Sequence, residues 1–279
     1  MRLERSCDAR AQGDWLVSEE PAFGVARLRA RLQRAAHARH RHDTYTVALT
    51  ESGVQEFGYR GSVHRSLPGQ IVLLHPDEAH DGRAGTAAGF AYRTLYVEPS
   101  LLLDALHAIA PRAAALPFVA DPVRSDPALA SGLATAFDGP MELLRAHELA
   151  LAVALAVARL DGRASDAGTL ALDDAALDRV REHLARHCQR VVRADELEAL
   201  SGLSRFVLCA QFKQRFGTTP YRYLLMRRLE RVRARLRQGE PLAAVAADAG
   251  FADQAHMTRL FKAAVGFTPG QYAALHAGH

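Results

Sequence analysis

The last third of the chain repeats itself at a fixed spacing, and a duplication of this kind narrows the possible folds more than any other feature of the sequence. Phe212-Lys213 recurs as Phe261-Lys262, Gly217 as Gly266, Thr219-Pro220 as Thr268-Pro269 and Tyr223 as Tyr272, each at an offset of 49 residues. Upstream, Gly202-Leu203 recurs as Gly250-Phe251 at an offset of 48, so one residue has entered between the two points. Lys213 and Lys262 are the only lysines among 279 residues, and they hold equivalent places. Independent accidents do not place both there. The repeat is real.

Each copy is laid out as helix, turn and helix. A short amphipathic segment (Ala194–Leu200, then Ala243–Ala249) is expected to be helical and to end at a glycine that turns the chain with positive φ. An apolar residue follows and plugs the space between the helices. Ser204 in the first copy and Asp253 in the second stand where a cap is needed, and the next helix closes at Gly217 or Gly266. A helix lying in the major groove of DNA needs apolar residues toward its partner and hydrogen-bonding or basic groups outward. In the second copy Asp253, Gln254, His256, Thr258 and Arg259 form the polar side. Phe212, Phe216 and Phe261 read as core, and Lys213 and Lys262 as phosphate contacts or surface charges.

The charge distribution agrees. Residues 174–279 hold 17 Lys and Arg against 10 Asp and Glu, a net of +7, whereas residues 1–173 hold 18 against 21, a net of −3. Only the C-terminal part suits a polyanion. Solvated arginine faces would give the same count, so charge supports the repeat without replacing it.

Residues 174–279 resemble the DNA-binding domain of the AraC/XylS family of transcriptional regulators. The resemblance rests on Gly250-Phe251-Ala252-Asp253-Gln254-Ala255-His256-Met257-Thr258-Arg259-Leu260-Phe261-Lys262, with Gly266, Pro269 and Tyr272 behind it. It implies two reading helices spaced about one DNA turn apart by a linking helix, Arg222–Arg237. It places Gln254, Thr258 and Arg259 nearest the DNA, and Arg205, Phe206, Cys209 and Lys213 at the matching outward positions of the first reading helix. The sequence departs from the family at Ala210, where Arg is frequent, beside Cys209. The first unit is therefore expected to depend more on shape, phosphate contacts or apolar contact with thymine methyl groups.

The first hundred residues read as short strands. Leu28, Ala30 and Leu32 alternate with Arg27, Arg29 and Arg31; Tyr45, Val47 and Leu49 alternate with more polar neighbours; so do Phe90, Tyr92 and Thr94. Ile71–Leu74 is a continuous apolar run. Turn signals fall at Glu51-Ser52-Gly53, Phe57-Gly58-Tyr59-Arg60-Gly61 and Leu67-Pro68-Gly69, the pattern of a small β sandwich or barrel. His40 and His42 project to one face of a strand-like segment. The stretch Leu67 to His80 is similar to the second half of a cupin motif, and the region resembles the sensor domain of many AraC-type regulators. In metal-binding cupins the equivalents of His40, His42 and His80 hold a divalent metal with a Glu, at whose position Thr46 stands here. Three readings of the histidines stay open: an effector pocket, with Tyr45 and Tyr92 adding stacking or hydroxyl contacts; a metal site; and structural hydrogen bonding. We adopt the first, with His40, His42, Tyr45, His80 and Tyr92 as the effector-binding set and no resident metal or cofactor.

Residues Glu142–Leu160 are apolar nearly all round and must be covered, either as internal core or by a second copy. The small, polar stretch from Asp161 to Gly168 reads as a linker. The expected fold class is α+β in two domains: an N-terminal cupin-like β barrel or sandwich with trailing helices, and a C-terminal all-α double helix-turn-helix. The expected boundaries are 1–100 for the sensor, 101–168 for a helical dimerisation segment and linker, and 169–279 for the DNA-binding domain. Cys7, Cys188 and Cys209 are odd in number and scattered, which fits a reducing compartment; Cys188 continues the core stripe of Leu177, Val180 and Leu184. The N-terminus lacks the apolar stretch of a secretory signal, and the longest apolar run, Leu149–Ala158, is too short to span a bilayer. The expectation is a cytoplasmic, homodimeric, non-enzymatic regulator of transcription. Its partners would be double-stranded DNA, a small-molecule effector and RNA polymerase, with no membrane association. The alternative is a cupin metalloprotein or enzyme with a DNA-binding appendage.

Overall fold

The computed structural model describes residues 13–111, 116–161 and 172–276, so Cys7 and linker residues 162–168 lie outside the described residues. The chain divides into two units: residues 1–137 with 149–168, and residues 138–148 with 169–279.

The strands of the first unit are β1 (Trp15–Ser18), β2 (Val25–Leu32), β3 (His37–His40), β4 (Tyr45–Gly53), β5 (Gln55–Tyr59), β6 (Ser62–Ser66), β7 (Ile71–Leu74), β8 (His80–Ala84), β9 (Phe90–Val97) and β10 (Val123–Arg124). One sheet has the order β1-β2-β9-β4-β7-β10 and the other β3-β8-β5-β6. The alternation along β2 sends Leu28, Ala30 and Leu32 into the core between the sheets, where they meet Phe57 and Tyr59 of β5 and Phe90 of β9. The opposite face of β2 is not solvated as its arginines suggest. Arg27 is buried, donates to the Ala136 carbonyl at 2.6 Å and pairs with Glu19, and the Phe137 ring lies within 5.8 Å of Arg27, Arg29 and Arg93.

One expected turn is shorter in the structure. Phe57 to Tyr59 is strand, with both aromatic rings buried, and the reversal is confined to Arg60-Gly61. Their φ values of 49° and 79° are those of a two-residue hairpin turn whose twist matches the flanking strands. Gly58 serves another purpose: its N–H donates to Asp81 at 2.7 Å, and a Cβ there would stand 3.0 Å from the same carboxylate.

The helices are α1 (Pro99–Ile109), α2 (Pro127–Thr135), α3 (Leu143–Leu160), α4 (Asp174–Arg186), α5 (Ala194–Ser201), α6 (Arg205–Phe216), α7 (Pro220–Arg237), α8 (Leu242–Asp248), α9 (Gln254–Val265) and α10 (Pro269–His276). In α3, Leu149, Leu151, Val153, Ala154, Ala156 and Val157 are buried, and Ala152, Leu155 and Leu160 are half-buried. None of the helices, among the described residues, is long and apolar enough to cross a membrane.

In the second unit the sequence repeat becomes a repeat of contacts. Phe212 and Phe261 are both fully buried, and each meets the tyrosine of its own copy edge-on, Phe212 with Tyr223 at 5.8 Å and Phe261 with Tyr272 at 5.4 Å. Gly217 and Gly266 end α6 and α9 in the left-handed conformation, their N–H groups donating to the carbonyls of Lys213 and Lys262. Thr219 and Thr268 then accept from the N–H three residues on, with proline in the first turn of α7 and α10. Two separate cores result. Leu177, Val180, Leu184, Cys188, Leu197, Leu208, Phe212 and Leu224 form the first, and Leu229, Val232, Leu236, Val245, Met257, Leu260, Phe261 and Tyr272 the second. Helix α7 contributes to both. The inserted residue that changes the offset is in the turn: Arg205 opens α6 three residues after Gly202, whereas Gln254 opens α9 four residues after Gly250. Gly250 is required by space as well as by its φ of 81°, because a Cβ there would lie 2.7 Å from the Gln189 carbonyl oxygen.

The two N-caps differ. Asp253 accepts from His256 N–H at 2.6 Å, whereas the Ser204 side chain makes no capping bond. Glu198 of α5 takes that role, accepting from the Arg205 N–H at 2.8 Å.

Candidate functional site

Three histidines converge between the sheets of the first unit. His40 ends β3, His42 follows in the loop, and His80 opens β8, directly opposite His40 in the ladder. One nitrogen from each ring lies within 4.8 Å of the others. Their outer nitrogens face carbonyl oxygens: His40 Nδ1 that of Ala38 at 2.7 Å, His42 Nδ1 that of Thr44 at 3.0 Å, and His80 Nδ1 that of Glu78 at 2.9 Å. A carbonyl only accepts, so each Nδ1 carries a proton and donates it to the backbone. The site is a cluster of three imidazoles, each held in orientation by a backbone carbonyl. The same donor set, with its outer nitrogens engaged, can hold a divalent ion with further positions open.

The walls come from alternate residues of two strands. Thr46 of β4 and Tyr92, Thr94 and Tyr96 of β9 line the cavity, with Gln55 and Asp81 from the second sheet. Thr46 Oγ1 lies 2.8 Å from His42 Nε2, and His37 Nε2 lies 2.6 Å from the Tyr92 hydroxyl. Tyr45 is not brought to this cavity. It precedes Thr46, so the pleat turns it to the other face of β4, where its ring meets His75 at 5.4 Å and burial pushes its hydroxyl up to about 12. Tyr96 and His37 join the cavity without having been expected there. Tyr96 continues the period of two from Tyr92 through Thr94 and packs edge-on to His42 at 5.2 Å, a placement that extending the alternation would find.

The second group of residues lies on α6 and α9. On α9, Asp253, Gln254, Arg259 and Lys262 are exposed, Thr258 is half-buried and His256 is buried. On α6, Lys213 is exposed while Phe206 and Cys209 are buried. Arg205 is held by Glu198, which receives both Nε at 3.0 Å and Nη2 at 3.1 Å. Burial pushes the Cys209 thiol well above its usual range, with Glu148 adding to the effect, so the side chain is an inert small apolar group. The open polar face of α9, with Gln254, Arg259 and Lys262 on it, can meet base edges and phosphates.

A β-sheet domain with a convergent polar pocket, joined to a doubled helix-turn-helix, defines a ligand-responsive, DNA-binding transcriptional regulator. Residues 22–173 match the model of the AraC-like ligand binding domain, and residues 197–274 match that of a helix-turn-helix domain. The chain belongs to the AraC-type regulators. It is 28% identical over 224 residues to the uncharacterized HTH-type transcriptional regulator YbfI of Bacillus subtilis, covering 78% of this chain and 80% of that one. A putative AraC-like transcription regulator of Streptomyces antibioticus is 37% identical over 78 residues, 28% of this chain and 26% of the relative. Among solved structures, ToxT from Vibrio cholerae is 12% identical with a TM-score of 0.40, over 90% of this chain and 98% of that one.

Proposed function

We propose that a small molecule bearing hydroxyl or amino groups binds between the sheets and alters how α6 and α9 are offered to DNA. The observation that carries this is the polar cavity between the sheets, lined by His40, His80, Thr46, Tyr92 and Tyr96, with His42 clustered on the two lining histidines at its edge. Imidazole, hydroxyl and phenol groups of this kind call for a ligand with hydrogen-bonding groups such as O–H or N–H. The effector-binding set is His40, His42, His80 and Tyr92, to which Tyr96 is added. His42→Ala is expected to abolish the thermal shift and the change in DNA affinity produced by such a ligand, found by screening polyols and amines. DNA affinity without ligand should stay unchanged. A response retained by the variant would remove His42 from the site.

On the DNA side, Gln254, Thr258 and Arg259 are assigned to base edges, and Lys213 and Lys262 to phosphates. Arg259→Ala is expected to lose on the order of 1–3 kcal/mol of discrimination at one base position. Lys262→Ala should instead weaken binding evenly across sequences and lower the salt slope by about 1. Competition binding with a substituted set of duplexes at several salt concentrations separates the two roles. An unaltered base preference in the first variant, or an unaltered salt slope in the second, would count against its assignment.

The donor set also favours a second reading, in which His40, His42 and His80 hold a divalent ion through Nε2. When bound, such an ion would supply a Lewis acid to which an oxygen of the effector could attach. Metal analysis of the purified protein decides: one zinc or iron per chain supports this reading, and metal-free protein that still responds to effector leaves the first. We assign the chain no catalytic turnover. Boundaries at 1–100, 101–168 and 169–279, a cytoplasmic location, a homodimer and contact with RNA polymerase extend the same proposal, and sedimentation equilibrium tests the dimer.

A further inference from the structure

Two of the four outward positions of α6 are closed. Phe206 and Cys209 are each 4% exposed. The repeat supplies an internal control, because one copy later these positions are Ala255, which is exposed, and Thr258, which is half-buried. A helix-turn-helix core does not by itself require burial there. The cover comes from residues 138–148, the segment that leads into and opens α3 and that belongs to the same unit.

Three sets of contacts seat this segment. His147 meets the Phe206 ring edge-on at 5.3 Å, and its Nε2 lies 3.4 Å from the Arg205 guanidinium. Leu144 and His147 close a small cavity together with Cys209 and Leu208. At the second copy, Gly139 packs so tightly on His256 that a Cβ would overlap the imidazole ring. Two polar anchors then tie the segment to α7. Glu142 accepts from Arg228 at 3.2 Å, and Arg145 donates to the Tyr221 hydroxyl at 3.1 Å.

We infer that residues 138–148 are an autoinhibitory strap that occupies the outer face of α6 in competition with duplex DNA. The inference rests on the reading of α6 as a DNA-facing helix. A duplex in contact with Arg205, Phe206 and Cys209 must first displace His147, so the strap lowers the measured affinity by the fraction of time the face is open. The strap is covalently continuous with the rest of α3, residues of the sensor unit, which gives an effector a means of favouring the open or the closed state.

The test uses the full chain and a random-sequence duplex of about four helical turns at low salt, where non-specific phosphate contacts give a readable affinity. Gly139→Ala removes the fit to His256, and Glu142→Gln removes the charge partner of Arg228. Arg228 keeps its hydrogen bonds to the Cys188 and Arg190 carbonyls in the second variant. Glu142→Gln touches neither α6 nor α9; Gly139→Ala replaces no residue of them but presses its methyl on His256 of α9, so the binding change counts for the strap only where both variants share it. Both variants should bind the duplex about tenfold more tightly if the strap is closed some nine-tenths of the time. In the parent protein, hydrogen exchange of the 138–148 amides should speed up when the duplex is saturating. Equal or weaker binding by both variants, with strap amides equally protected in free and bound parent protein, would overturn the strap alone. Absence of duplex binding by all three proteins would overturn the DNA reading of α6 and the strap with it.

Discussion

Lowering the pH from 6.5 to about 4 is expected to cost the C-terminal unit roughly 3 kcal/mol of stability for each of two buried histidines. Burial holds both His147 and His256 down to about 4 from an ordinary value of 6.5. The Arg205 guanidinium lowers His147 further, against a smaller opposing effect of Glu198, and Arg259, Arg145 and Arg228 do the same to His256 against Asp253. Neither ring nitrogen of His256, nor Nδ1 of His147, has a hydrogen-bond partner among the described residues. A neutral ring is tolerated there and a charged one is not. The sign follows directly. Above the unfolded value of 6.5 both states are neutral and stability is intact. Below it the unfolded chain binds protons that the folded chain refuses, until the folded rings titrate at about 4. Denaturant unfolding followed by circular dichroism at both ends of this window measures the loss. His256→Leu, which replaces an unpaired ring by an apolar side chain, should remove its share of the pH dependence. An unchanged pH dependence in that variant would mean that the ring is solvated in the folded protein.

Phe261→Ala is expected to destabilise the second helix-turn-helix by about 3–5 kcal/mol, and Phe212→Ala the first by a similar amount. Each ring is fully buried in its own core and packed on its own tyrosine. Truncation loses the transfer free energy of the ring and leaves a cavity that α7, committed to both cores, cannot close by moving toward one of them. A loss of this size rivals the whole stability of a small domain, so DNA binding should fail with it. Phe261→Leu keeps most of the volume and should cost much less. Thermal melts of the three variants check the order. A Phe261→Ala protein that melts with the parent would show that the ring is not core.

The duplicated unit is the most legible part of the sequence because its signals are local. The cap, the left-handed glycine and the edge-on aromatic pair each depend on residues close in the chain, and the glycine and the pair appear twice. The β domain is legible where alternation fixes the face, as in β2, and less so where pairing across the sheets decides. Phe57-Gly58-Tyr59 carries turn-like composition, but the second sheet needs both rings in its core, and only the Arg60-Gly61 pair reverses the chain. Residue type points Tyr45 to the pocket, although the pleat sends its neighbour Thr46 there. The burial of Phe206, Cys209 and His256 is not readable at all. Part of it comes from a segment about sixty residues before α6, and nothing in the helix itself announces that cover. Likewise the apolar circumference of α3 fits internal core and subunit contact equally well, because packing against distant residues, and not the helix's own sequence, decides between them.

The central claim is that one chain presents two similar reading helices to successive turns of a duplex, and footprinting after binding-site selection with the full chain tests it most directly. The expected footprint has two protected major-groove segments on one side of the duplex, about 10 base pairs apart. Arg259→Ala should alter base preference in only one of them, and raised salt should weaken both together. A single protected segment, or binding indifferent to salt, would contradict the account.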